Sequence, residues 1–145
     1  MILTNQLRHY SNSGAALVEA AITLVMFFAI LFGLVEAGRF MSFQQTLTDA
    51  SREGARLAIT PLSGTSTLPS NSQIKAQVQT FLDSNHVAGA TITIDNPVVI
   101  NTGGINTQFT RVTVQAPYSL ITLSMFSSLA VTLEGRSLMR NETSP

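Results

Sequence analysis

Residues 15–35 read AALVEAAITLVMFFAILFGLV, and this stretch decides the fold. It supplies about the twenty predominantly apolar residues that a helix needs to cross a ~30 Å hydrocarbon core. A secretory signal's apolar region is normally only about 7–15 residues, so the length favours a retained membrane helix. Between Glu19 and Glu36 there is no charged side chain. Directly before the run stands Gly14, at the end of a hydrophilic leader, MILTNQLRHYSNSG, with Arg8 and His9 as its basic residues.

One ionisable residue interrupts the run. A carboxylate in the middle of a membrane helix costs a few kcal/mol, and such residues are functional candidates by default. Spacing alone leaves two readings of Glu19: a carboxylate near the interface reaching headgroup water, or one kept for a partner. A cut after Gly14 would place the new amine of Ala15 four residues before Glu19, which favours the second.

The chain has 145 residues, a formal net charge of +0, and 11% charged residues against 45% hydrophobic. Soluble domains carry roughly 25% charged residues, so charge is scarce, and the scarcity is concentrated in the apolar run. With 8 Lys and Arg scattered along the chain there is no basic stripe for nucleic acid. The absence of cysteine excludes disulfides, thiolate metal sites and cysteine nucleophiles. The 2 histidines, His9 and His86, are far apart, and no phosphate loop, zinc spacing or nucleophile elbow is present. Neither catalysis nor a cofactor is expected. Asn141-Glu142-Thr143 fits the N-glycosylation pattern, a short motif of little weight.

Beyond the run the helical period continues through Phe40, Phe43, Leu47, Ala50, Leu57 and Ala58. Glu36 with Arg39, Asp49 with Arg52, and Glu53 with Arg56 form i, i+3 pairs on what reads as a solvated face, each worth a few tenths of a kcal/mol. Pro61 ends the helix by forcing Thr60 out of the α region. The helix then runs for about 45 residues, about 68 Å at 1.5 Å per residue.

Residues 61–72, PLSGTSTLPSNS, read as a linker. Ile74, Val78, Phe81 and Leu82 predict a short helix over 73–84, capped by Ser70, Asn71 or Ser72, with His86 just beyond its end. Ile92 and Ile94 alternate with polar residues as in a strand, followed by the apolar Val98-Val99-Ile100 and a Gly103-Gly104 hairpin turn. Val112, Val114 and Ala116 predict a second strand closed by Pro117. Residues 118–128 read as a short helix or a loop. Val131, Leu133, Leu138 and Met139 predict a third strand with a bulge near Gly135. The expected fold class is α+β, a long N-terminal helix followed by a short helix and a small antiparallel sheet of about three strands.

The order Gly14-Ala15-Ala16-Leu17-Val18-Glu19 resembles the processing site of type IV pilins and pseudopilins: a glycine, four small or apolar residues, then glutamate. The continuation Gly33-Leu34-Val35-Glu36-Ala37-Gly38-Arg39-Phe40, and above all Ala50-Ser51-Arg52-Glu53-Gly54-Ala55-Arg56, resembles the TadE-like (tight adherence) pseudopilin family. Ser137-Leu138-Met139-Arg140-Asn141-Glu142 is similar to how such proteins finish. One departure is Ala20, where these families usually place an aromatic residue.

The resemblance implies a pilin-like subunit with a leader at 1–14 cut by a prepilin peptidase between Gly14 and Ala15. It further implies a transmembrane helix at 15–35, an amphipathic continuation at 36–60, and a small extracytoplasmic domain at 61–145. Glu19 would neutralise the N-terminal amine of a neighbouring subunit. The implied partners are the prepilin peptidase, other pilins and pseudopilins, the inner-membrane assembly platform with its ATPase, and membrane lipid. The implied role is biogenesis of tight-adherence (Flp-type) pili, adhesion and biofilm formation. The positive-inside balance is close to a tie, so a cytoplasmic N-terminus in the bacterial inner membrane is also what the resemblance implies. The alternative is a secreted or singly anchored extracytoplasmic binding module, for which Val35-Glu36-Ala37 offers small residues in a cleavable arrangement.

Overall fold

A computed structural model describes residues 13–62, 67–121 and 130–141. Helix α1 covers Ser13–Ile59 and α2 covers Asn71–Ser84; strands β1 (Thr91–Thr102), β2 (Ile105–Ser119) and β3 (Ala130–Arg140) follow. The strands form one antiparallel sheet in the order β1-β2-β3. The fold is α+β, with the expected long helix, short helix and three-stranded sheet. Most of the expected leader, the middle of the expected linker and the stretch after Ile121 lie outside the described residues.

The chain falls into two compact units, Met1–Val35 and Glu36–Pro145. The described part of the first is the apolar start of α1. Leu17, Val25 and Leu34 are 71%, 69% and 68% exposed, and none of the most apolar window is buried. A helix apolar all round needs either a protein core or lipid around it, and this one has no core. Among the described residues α1 is the one helix long and apolar enough to cross a membrane.

The second unit packs the later part of α1 and all of α2 on one face of the sheet. Its core joins Leu47, Ala50, Ala55 and Ala58 of α1, Ile74, Val78 and Leu82 of α2, and Ile92, Val112, Val114, Ala116, Tyr118 and Leu133 of the sheet. Small residues dominate the α1 face. Ser51 and Gly54 are buried beside the alanines, and a Cβ at Gly54 would meet Val78 Cγ2 at 2.5 Å and Val112 Cγ1 at 3.2 Å. This is the physical content of the Ala50–Arg56 run: it presents a face with almost no side chain, so α2 and β2 approach closely. Phe40, expected on the apolar seam, is instead 40% exposed, and Phe43 and Leu57 are only partly buried.

Local chemistry sets the ends of α2. Ser70 accepts from the Gln73 amide while the Gln73 side chain accepts from the Ser70 amide, a reciprocal capping box. The helix therefore starts two residues earlier than the periodicity predicts. Past its C-cap Asn85, His86 takes φ 57.

Gly103 and Gly104, at φ 62 and 85, form the two-residue turn between β1 and β2 that the sequence predicts. Elsewhere the sheet corrects three expectations. Pro117 does not close the second strand: β2 runs to Ser119, with Pro117 opposite Thr132 of β3. Pairing with β1 stops at Gln115, so beyond that point β2 has a neighbour on one side only, where a missing N–H is tolerated. Tyr118 and Ser119 are accordingly strand rather than short helix or loop. The bulge lies in β1, not β3. Asn96 and Pro97 together oppose Thr110, which moves Val98 and Ile100 off the face shared by Ile92 and Ile94.

β3 pairs without interruption through Gly135, which sits opposite Val114. Its missing side chain has a different cause: a Cβ there would run into the backbone of Leu47 and Thr48. Here β3 touches the main chain of α1, and Gln44 Nε2 donates 2.7 Å to the neighbouring Glu134 carbonyl.

The end of β3 is fastened by polar contacts. Thr110 Oγ1 donates to Asn141 Oδ1 at 2.8 Å, and the Asn141 amide reaches the Gln108 carbonyl at 3.0 Å. Asn141 is 4% exposed, so the glycosylation pattern falls on a side chain already committed inside the fold.

Candidate functional site

The sequence-predicted site residues all lie on the first turns of α1. Gly14 and Ala15 occupy its opening turn and Glu19 follows one turn on, all three exposed. Residues four apart share a helix face, about 6 Å along the axis. Among the described residues Glu19 makes no hydrogen bond or ion pair. Gly14 is not required by packing among the described residues, because a Cβ there meets nothing within 4 Å. Gly54 and Gly135 are the opposite case, each demanded by a close approach inside the fold.

The electrostatics of that turn favour an acid and disfavour a base. The first amides of a helix lack internal acceptors and give its N-terminus a partial positive charge. An amine created at Ala15 would add a full positive charge at the same end, and a carboxylate from Glu19 of the same or a neighbouring helix would offset it.

At the start of the second unit lies a cluster that the sequence reading missed. Glu36 was expected on a solvated face; it is instead 9% exposed, and its Oε1 accepts a 2.6 Å hydrogen bond from the Tyr118 hydroxyl of β2. Arg39 Nη1 lies 3.4 and 3.5 Å from the two carboxylate oxygens, and the Arg39 Cζ stands 5.6 Å from the Tyr118 ring centre. Phe40 and Phe43 pack edge-on and tilted against the same ring, at 5.7 and 5.2 Å. The buried carboxylate is thus paired, bonded and walled by aromatics, the condition under which burial of charge is tolerated. The other two helix pairs remain on the surface as expected, Arg52–Asp49 at 3.4 Å and Arg56–Glu53 at 3.0 Å.

Burial and the hydrogen bond to Glu36 push the Tyr118 phenol above its ordinary value of 10.0, with Arg39 opposing. A raised folded value means that the neutral phenol stabilises the fold fully below about pH 10, and that this contribution is lost as pH rises through the folded value. Tyr118→Phe removes a hydrogen bond to a buried charge and is expected to cost about 2 kcal/mol. Denaturant unfolding of the full chain in detergent, at pH 8 and pH 11, checks both points. The variant is less stable than the wild type at pH 8, and the gap narrows at pH 11.

His86 stands exposed at the end of α2, and among the described residues no group of acidic, cysteine or histidine side chains could hold a metal.

A family model described as TadE-like protein matches residues 14–56, from Gly14 through Arg56 and so nearly the whole of α1. No curated protein and no solved structure matches the chain. Over residues 14–56, the part of the molecule that carries Glu19, the small-residue face and the Glu36–Arg39 pair, this chain is similar to TadE-like proteins.

Proposed function

We propose that the protein is a pseudopilin-type assembly subunit of tight-adherence pili, anchored by residues 15–35 with its N-terminus in the cytoplasm. A prepilin peptidase cuts between Gly14 and Ala15, and Glu19 then pairs with the new amine of an adjacent pilin-like subunit. The domain from Glu36 onward stands on the extracytoplasmic side of the bacterial inner membrane. There it works with the assembly platform and its ATPase to build a fibre used in adhesion and biofilm formation.

The observation that carries this reading is the match over residues 14–56, which opens on the glycine of the proposed cut. The TadE-like family is linked to tight-adherence pili, and a long apolar N-terminal helix fits membrane anchoring. The physics agrees. A glycine whose Cβ would meet nothing within 4 Å, five residues before a carboxylate that has no partner among the described residues, on the apolar part of α1, is accounted for by groups outside the chain. A carboxylate whose partner comes only from a correctly placed neighbour sets register between subunits.

The anchoring is tested by a fusion of alkaline phosphatase to the C-terminus, combined with carbonate extraction of membranes. Phosphatase activity and retention in the washed membrane are expected. Release into the soluble fraction would contradict the anchor, and an inactive fusion would contradict the orientation.

A further inference from the structure

The geometry points to the cavity beside Arg39 as a binding site for the phosphate of a membrane phospholipid. It is an open pocket that lies wholly within the second unit, has a volume of about 220 Å³, and is lined in part by Arg39, Ser42, Phe43, Thr46, Asn85 and Tyr118. That volume is below the roughly 300–1,000 Å³ of drug-sized ligand pockets and suits a headgroup rather than a larger metabolite.

The chemistry of the lining is that of a phosphate ester. Arg39 gives Nη1 to Glu36, and among the described residues its Nε and Nη2 donate to nothing. Those two groups form the edge of the guanidinium fork, the geometry that recognises phosphate oxygens in a bidentate way. Ser42 adds an exposed hydroxyl one turn along the same helix, and the rings of Phe43 and Tyr118 give a wall for the glycerol carbons. Arg39 is held in place from behind, by the Glu36 carboxylate and the face of Tyr118, so little side-chain freedom remains to be lost on binding.

Position selects lipid over free phosphate. This step rests on the reading that residues 15–35 cross a membrane. Arg39 is four residues past Val35 on one continuous helix, about 6 Å along its axis. The headgroup region adds only about 5–8 Å to each side of the hydrocarbon core, so Arg39 falls inside it. The exposed apolar surface also continues past the run: Phe40 is 40% and Met41 70% exposed. Aromatic residues and arginine at that depth are the usual anchors of an interfacial segment.

Native mass spectrometry of the full chain in detergent, titrated with dioleoylphosphatidylglycerol, tests the site. One saturable lipid is expected, weakened about tenfold or more by Arg39→Gln, the loss due when a charged hydrogen bond to phosphate disappears. Arg39→Gln also unpairs Glu36, so Ser42→Trp, at an exposed position that leaves that pair intact, serves as the second variant and weakens binding by filling the cavity. Arg52→Gln, on the surface and outside the cavity, leaves binding unchanged. The site is overturned if Ser42→Trp binds as the wild type does, or if Arg52→Gln weakens binding as much as Arg39→Gln. Displacement of the lipid by millimolar inorganic phosphate would also overturn the lipid assignment. Failure of the membrane reading shows separately, as release from carbonate-washed membranes; a chain retained there without Arg39-dependent lipid refutes the site alone.

Discussion

Gly135→Val leaves the domain from Glu36 onward unfolded, while Gly135→Ala lowers its stability by about 3 kcal/mol, the upper part of the overpacking range. The reason is what the added carbon meets. At most positions a new methyl group displaces the end of a flexible side chain; at Gly135 it collides with the main chain of Leu47 and Thr48, in the middle of α1. Neither neighbour yields easily. β3 is held by unbroken pairing with β2, and α1 is held by the fully buried Leu47 and Ala50 on either side of the contact. Replacing glycine by alanine gains about 0.4–1 kcal/mol by restricting the unfolded chain, too little to offset the collision. Gly38, where a Cβ meets nothing, is the control: Gly38→Ala in mid-helix is expected to hold or raise stability by up to about 1 kcal/mol. Thermal unfolding of the full chain in detergent, followed by circular dichroism, checks the set. Gly135→Ala should melt about 10 °C lower and Gly38→Ala no lower than the wild type.

Glu19→Ala is expected to abolish pilus output while leaving the protein in the membrane. Removing a carboxylate from an apolar helix makes insertion easier by up to a few kcal/mol, so the variant is not lost for want of anchoring. On the proposed pairing, what it loses is the charge partner of an incoming subunit's amine. Because Glu19 is exposed, lies outside the second unit and makes no hydrogen bond or ion pair among the described residues, the substitution leaves the packing of the second unit untouched, and a folding defect does not compete as an explanation. Counting surface pili beside an immunoblot of washed membranes separates the two effects. Unchanged pilus output would remove the paired-charge mechanism.

These expectations differ in how far they were legible from sequence. The limits of α1 are local facts, an uncharged run and a proline after Thr60, and the structure ends the helix at Ile59. The cap of α2 and the Gly103-Gly104 turn are local in the same way. Glu36 is different. Beside Arg39 it has the spacing of a surface ion pair, and its decisive partner, Tyr118, is 82 residues away in sequence, so periodicity carries no trace of it. Glycine has the same ambiguity: Gly135 reads as a bulge and Gly14 as a cut site, yet only the approach of other groups decides what each is for.

Small buried residues were the other blind spot. Ser51, Gly54 and Ala55 score as weakly apolar or polar, but they form the face that lets α1, α2 and the sheet close together. Pro117 misled because proline normally ends a central strand, and only the pairing register reveals that β2 has a single neighbour there. The candidate site at Gly14, Ala15 and Glu19 rests on sequence spacing alone, since residues four apart are neighbours on any helix. The proposed partner belongs to another molecule, so no feature of the folded chain bears on it.

Processing at Gly14 underlies the proposed role, and the mass of the mature N-terminal peptide reports on it. Protein isolated from cells with the prepilin peptidase should begin at Ala15, and protein from cells lacking the peptidase should keep the leader through Gly14. An N-terminus at Met1 in both, or one beyond Val35, would rule out processing at Gly14.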